Sequence, residues 1–175
     1  MDNSHVKPYI QLSGELFEAV QKARIFPDSK HFVDMMPVMA PDEVWQIYVE
    51  EKDRPDFNLR EFVNRYFSGP SSGDAEVHIE QKASCREHIR ELWPFLFRSP
   101  DSDTKPGSTL LPLPKPYVVP GGRFREIYYW DSYFTAQGLN ADGYPDMVLA
   151  MAENFRHLIH TMGHIPNGNR AYYLS

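Results

Sequence analysis

Apolar residues recur along this chain at the three-and-four spacing of a helix face, in blocks separated by proline, glycine and capping residues. Ser13 stands where an N-cap belongs, ahead of Leu16, Phe17, Val20 and Ala23. Pro27-Asp28 then closes that segment and opens a short helix over Asp28–Met36, stopped before Pro37. A third helix is expected from Pro41 or Asp42 to about Lys52, with Val44, Trp45 and Tyr48 on one side, and a fourth over Asn58–Phe67 carrying Leu59, Phe62, Val63 and Tyr66. Ser84 and Glu87 make a capping box for a helix through Ile89, Leu92, Trp93 and Leu96, in which Pro94 predicts a kink or early end near Trp93. Trp130 or Asp131 begins a further helix through Thr135, ended by Gly138. The longest pattern starts at Pro145-Asp146, places Val148, Met151, Phe155, Leu158, Ile159 and Met162 on one face, and ends at Gly163. Such periodic stripes are core by default, because an apolar face is there to be buried.

Two stretches break the pattern. Ser68–Ala75 is rich in Gly, Pro and Ser and reads as a loop. Ser99–Pro116 is too proline-dense for regular helix and reads as a long irregular arm. The fold class is therefore all-α, with one irregular and partly extended arm.

Composition narrows the function. At 175 residues and 42% hydrophobic the chain is long enough for one domain with a real core. A net charge of −6 without any run of Lys or Arg argues against nucleic acid and membrane surfaces as partners. The single cysteine, Cys85, makes no intrachain disulfide and reads as a small buried hydrophobe. His157 and His160 lie three apart but share their face with no third ligand, so no metal and no cofactor is expected. The opening MDNSHVKPYI lacks the basic and apolar regions of an export signal, which leaves a cytoplasmic protein or a periplasmic one whose signal has been removed.

The candidate chemistry lies in Pro116–Gln137, PYVVPGGRFREIYYWDSYFTAQ. Tyr117–Val119 favours extended backbone, and Pro120 reinforces it. After the Gly121-Gly122 pivot come Arg123, Phe124, Glu126, Trp130 and Asp131 amid further aromatics. That mixture suits a sugar, whose C–H faces stack on a rigid indole and whose hydroxyls take charge-assisted hydrogen bonds from Arg and Asp. The residues alone also admit core packing with Arg–Glu pairs on its rim.

The segment PGGRFREIYYWDSYF resembles the first signature of the trehalases of glycoside hydrolase family 37, PGGRFxExYxWDxY. The segment GHIPNGNRAYYLS, Gly163–Ser175, is similar to the opening of that family's PNGNRxYYLxRSQPP stretch. IFPDSKHF, REHIRELWPFLFR and LLPLPKPYVVPGG are similar to bacterial members too, so the resemblance runs from about Leu12 onward. It implies the amino-terminal part of one trehalase catalytic domain, about the first third or half of an (α/α)6 barrel, with residues 1–175 in that single domain. It implies inverting hydrolysis of α,α-trehalose to two glucose molecules. Arg123 and Asp131 would bond sugar hydroxyls, Phe124 and Trp130 would wall the glucose pocket, and Asn167 would reach the same sugar; Asn169 and Arg170 would support or turn the chain.

The family's catalytic acid and base would both lie beyond Ser175, leaving no catalytic residue here. Glu126 and Asp131 are an unsuitable substitute pair: both match signature positions that are neither acid nor base, and Glu126 between Arg125 and the tyrosines reads as a structural ion pair. The expected partner is trehalose or glucose, together with self-association through exposed barrel faces. Two alternatives stand beside this reading: a non-catalytic carbohydrate-binding or interaction module, and a helical glycosidase fragment acting on another α-glucoside.

Overall fold

A computed structural model describes residues 9–69, 84–101 and 105–174, which fall into two compact units. The first comprises residues 9–69 with 105–110, the second 84–101 with 111–174. Both are mainly helical, in line with the all-α expectation.

The first unit contains α1 (Glu15–Ala23), α2 (Ser29–Asp34), α3 (Pro41–Glu51) and α4 (Leu59–Tyr66), with two short strands, β1 (Met36–Pro37) and β2 (Phe67–Ser68). Asp28 caps α2 through the Lys30 N–H and Asn58 caps α4 through the N–H groups of Arg60 and Glu61. Gly14 rather than Ser13 holds the N-cap of α1, and no side chain caps it. The expected helices over 28–36 and 58–67 run short of their C-terminal ends. Met36–Pro37 pairs antiparallel with Phe67–Ser68, a long-range pairing that no local pattern announces. Leu16, Val20, Phe32, Val44, Tyr48, Phe62, Val63 and Phe67 form the core.

Residues 105–110 are fastened into this unit by polar bonds. Gln11 Nε2 donates to the Gly107 carbonyl at 2.7 Å and to the Met35 carbonyl at 3.1 Å, and Thr109 Oγ1 donates to the Val33 carbonyl at 3.0 Å. Gly107 has φ +83°, and a Cβ there would stand 2.5 Å from Pro37 Cγ. Gly107→Ala is thus expected to lower stability by at least about 2 kcal/mol, the sum of left-handed strain and overpacking. A urea midpoint equal to that of the wild type would refute this.

The second unit contains α5 (Cys85–Leu96), β3 (Phe97–Arg98), β4 (Tyr117–Val118), α6 (Tyr129–Ala141) and α7 (Pro145–Met162); β3 and β4 pair antiparallel. Ser84 accepts the Glu87 N–H at 3.2 Å, as the capping box requires. Helix α5 continues through Pro94 to Leu96 instead of ending near Trp93. Trp93 anchors this stretch: it is buried, and its indole N–H donates to Asp142 at 3.0 Å. Helix α6 likewise continues past Gly138 to Ala141. Gly138 serves packing here, since a Cβ would meet the Trp93 ring at 3.1 Å.

On α7 the buried residues are Met151, Asn154 and Leu158, whereas Ile159 and Met162 are exposed. The expected stripe omitted its polar member. Asn154 is fully buried because it bonds both backbone groups of Lys115, accepting its N–H at 3.0 Å and donating to its carbonyl at 2.9 Å. Cys85 is exposed, a correction to the buried hydrophobe expected: as the first residue of α5 it points to solvent. His160 is exposed, His157 is half-buried, and among the described residues no group of three His, Cys, Asp or Glu is placed to hold a metal. No helix among them is long and apolar enough to cross a membrane. Residues 99–101 and 111–116 are irregular, as expected; 70–75 of the predicted loop lie outside the described residues, while Ser68 is paired in β2.

Asp101 closes the neck of the arm. Its N–H donates to the Leu113 carbonyl at 2.9 Å, and its carboxylate accepts the Leu113 N–H at 3.0 Å and the Tyr117 hydroxyl at 3.1 Å. Burial pushes the Asp101 carboxyl above its usual 3.8, and the Leu113 and Tyr117 bonds and the charge of Arg170 only partly offset this. The folded chain therefore keeps a proton that the unfolded chain has lost, so stability falls as pH rises from 3.8 through the raised value. Asp101→Asn, which has no proton to lose, is expected to abolish this contribution. The check is the difference in urea unfolding free energy between wild type and variant from about pH 3 to pH 6; a difference that stays constant refutes it.

Candidate functional site

The extended segment entering the site is fixed by the Val119 N–H donating to the Leu96 carbonyl at 3.1 Å. The chain then reverses in a two-residue turn closed from both sides. The Gly121 N–H donates to the Phe124 carbonyl at 3.2 Å, and the Phe124 N–H to the Gly121 carbonyl at 3.1 Å. Gly122, first of the two central residues, has φ +58°, the position where a primed turn calls for glycine. Arg123 follows at the tip with its guanidinium 5.0 Å from the centroid of the Phe124 ring, a cation–π arrangement. Phe124 in turn meets Tyr128 edge to face, with centroids 5.4 Å apart at 89°.

Behind the turn lies a buried carboxylate. Glu126 is 0% exposed and accepts Arg170 Nε at 2.7 Å, the Tyr128 hydroxyl at 2.9 Å and the Arg125 N–H at 3.1 Å. Such a charge is tolerable inside only when paired and further hydrogen-bonded. The expected structural ion pair is thus present, with its partner 44 residues away. Since Tyr128 spends its proton on Glu126, Tyr173 is the donor in the 3.0 Å contact between their hydroxyls. The Tyr128 phenol is held far above its usual range by burial first, then by the Tyr173 bond and the charge of Glu126. It stays a protonated donor.

The two motifs are also joined through backbone. Tyr128 and Gly168 form an antiparallel bridge, and the Tyr129 N–H donates to the Asn167 carbonyl at 3.0 Å. Asn169, fully buried, accepts the Ile127 N–H at 2.9 Å and donates to the Leu111 carbonyl at 2.9 Å. A Cβ at Gly168 would stand 3.1 Å from the Tyr173 ring and 3.2 Å from that of Tyr128. Glycine is what lets the two rings close over this backbone.

Arg123 and Phe124 thus sit on the turn, both exposed, Phe124 at 39%, and Asn167 is half-buried where its backbone meets Tyr129. Trp130 is 72% exposed on the first turn of α6, with Asp131 exposed beside it. Trp130 also lines a groove of about 530 Å³ between α6 and α7, with Tyr133, Phe134, Val148 and Phe155. Arg123, Phe124, Asp131 and Asn167 are not among the residues lining that groove. Sequence reasoning gave Tyr128 and Tyr173 no role of their own and gave Asn169 and Arg170 only supporting or turn roles. Their one available signal was membership of the same two motifs as the candidate residues.

The two signature segments of this helical chain are thus knitted together around a buried Glu–Arg pair. The sequence pattern of the trehalase family matches residues 24–175, and the chain belongs to that family. It is 54% identical to the periplasmic trehalase of Pseudomonas aeruginosa over 162 residues, 92% of this chain and 29% of that protein. It is 53% identical over 164 residues to the periplasmic trehalase of an Escherichia coli strain, 94% of this chain and 29% of that relative. The chain thus spans 29% of the length of these relatives.

Proposed function

We propose that this chain is the amino-terminal part of an inverting glycoside hydrolase that converts α,α-trehalose to two glucose molecules, and that it supplies part of the sugar pocket. What chiefly supports this is the join between the two family motifs: the turn bearing Arg123 and Phe124, the start of α6 bearing Trp130 and Asp131, and the strand-like segment bearing Asn167 all issue from one buried Glu126–Arg170 centre. In this reading Arg123 and Asp131 bond hydroxyls, Phe124 and Trp130 cover C–H faces, and Asn167 reaches the same ring. The rest of the domain completes an (α/α)6 barrel. The relatives' description as periplasmic supports a periplasmic location, which fractionation of cells expressing the native gene would check.

Catalysis is assigned to carboxyl groups beyond Ser175. Inversion needs one carboxylic acid to protonate the leaving oxygen and one carboxylate to activate a water, about 6.5–9.5 Å apart. Glu126 suits neither role, since it is fully buried and its oxygens are taken by Arg170, Tyr128 and the Arg125 N–H. The purified 175-residue chain is therefore expected to release no glucose from trehalose above background. The exposed Trp130, Tyr133, Phe134 and Leu149 favour its self-association in that form. A coupled glucose assay and sedimentation velocity check both. Turnover that is lost on Asp131→Ala would refute the first, and a monomer at high concentration the second.

A further inference from the structure

Tyr128 has more hydrogen bonding than packing requires. A phenylalanine would fill nearly the same volume, so the hydroxyl is not there for shape; it helps satisfy the buried Glu126 carboxylate, and its loss alone leaves that oxygen one donor short. The hydroxyl also has a fixed position. It is pinned between Glu126 Oε2 at 2.9 Å and the Tyr173 hydroxyl at 3.0 Å, while the other oxygen of Glu126 is held by Arg170 at 2.7 Å. The pinned ring stands edge to face against Phe124 at 5.4 Å, and the Phe124 ring carries the Arg123 guanidinium at 5.0 Å. Arg123 is an exposed, rotamer-rich side chain at the tip of a tight turn. The relay Tyr173, Tyr128, Phe124 leads from a buried ion pair to that one cation.

From this geometry we infer that Tyr128, fixed by Glu126 and Tyr173, is a positioning residue for Arg123 and acts through the Phe124 ring. The inference rests on the proposal that Arg123 binds the sugar. Binding energy is realised at the reacting centre only when the group that supplies it is already in place, so a loosened arginine costs transition-state stabilisation. Tyr128 itself touches no substrate in this scheme.

The test is a kinetic double-mutant cycle in the full-length enzyme carrying this segment, with trehalose as substrate. Tyr128→Phe is expected to lower kcat/KM about tenfold in the wild-type background and less than about twofold when Arg123 is already alanine, because the group it positions is then gone. Equal losses in both backgrounds would mean general damage and overturn the inference, as would no loss from Tyr128→Phe alone. If Tyr128→Phe does not fold, Tyr173→Phe, which removes only the outer donor, enters the same cycle with an expected loss of about threefold and the same criteria. The two levels fail differently. Arg123→Ala with wild-type kinetics brings down the sugar-binding role and this inference with it. A large Arg123→Ala loss combined with additivity brings down the positioning role alone.

Discussion

Arg123→Ala, introduced into the full-length enzyme, is expected to lower kcat/KM for trehalose about a hundredfold or more. A charge-assisted hydrogen bond to the reacting sugar contributes about 1.5–3 kcal/mol, and losing it also frees the sugar to sit askew, which adds to the cost. The side chain is suited to this use: it is exposed at the tip of a turn closed by two backbone bonds, with its guanidinium over the Phe124 ring. Arg123→Lys should recover only part of the loss. Lysine keeps the charge but neither stacks on an aromatic face nor offers a planar fork of donors. Steady-state kinetics of both variants decide the matter, and near wild-type values for the alanine variant would remove Arg123 from the site.

The second large effect concerns stability. Glu126→Leu is expected to destabilise the protein by about 3–5 kcal/mol, because it leaves the largely buried Arg170 guanidinium without its carboxylate and removes the acceptor of the Tyr128 hydroxyl and the Arg125 N–H. Replacing both partners, as in Glu126→Leu with Arg170→Met, should cost clearly less than Glu126→Leu alone, since no unpaired charge then remains inside. Denaturant unfolding of the three variants against wild type is the measurement. A single replacement milder than the double would show that the pair is no more than a neutral feature of the interior. If the centre organises both motifs, Glu126→Leu should also disturb the environment of Trp130, close along the chain to the Tyr128–Gly168 bridge, and its fluorescence should report that.

Much of this was legible in the chain itself, and the reasons differ from element to element. The Asn58 and Asp28 caps, the Ser84 cap, the start of α7 at Pro145 and its end at Gly163 are local devices whose partners lie within a few residues. Local sequence suffices for them. The failures are equally physical. Pro94 and Gly138 both read as helix breakers, yet the helices pass through them, because the Trp93 ring packs against Gly138 and is tied to Asp142 from elsewhere in the chain. The expected stripe on α7 left out Asn154, which is a buried amide that serves as hydrogen-bonding partner to the backbone of Lys115.

The sequence by itself determined the helical class, the helix boundaries that depend on nearest neighbours, and the family. It did so because periodicity, capping and motif spacing are properties of a few consecutive positions. Only the tertiary structure decided that Glu126 pairs with Arg170, that Asn169 knits Ile127 to Leu111, and that Tyr128 and Tyr173 share a hydrogen bond behind Arg123. Those bonds join positions 42 to 58 residues apart, and their energies depend on burial and geometry that no local pattern encodes.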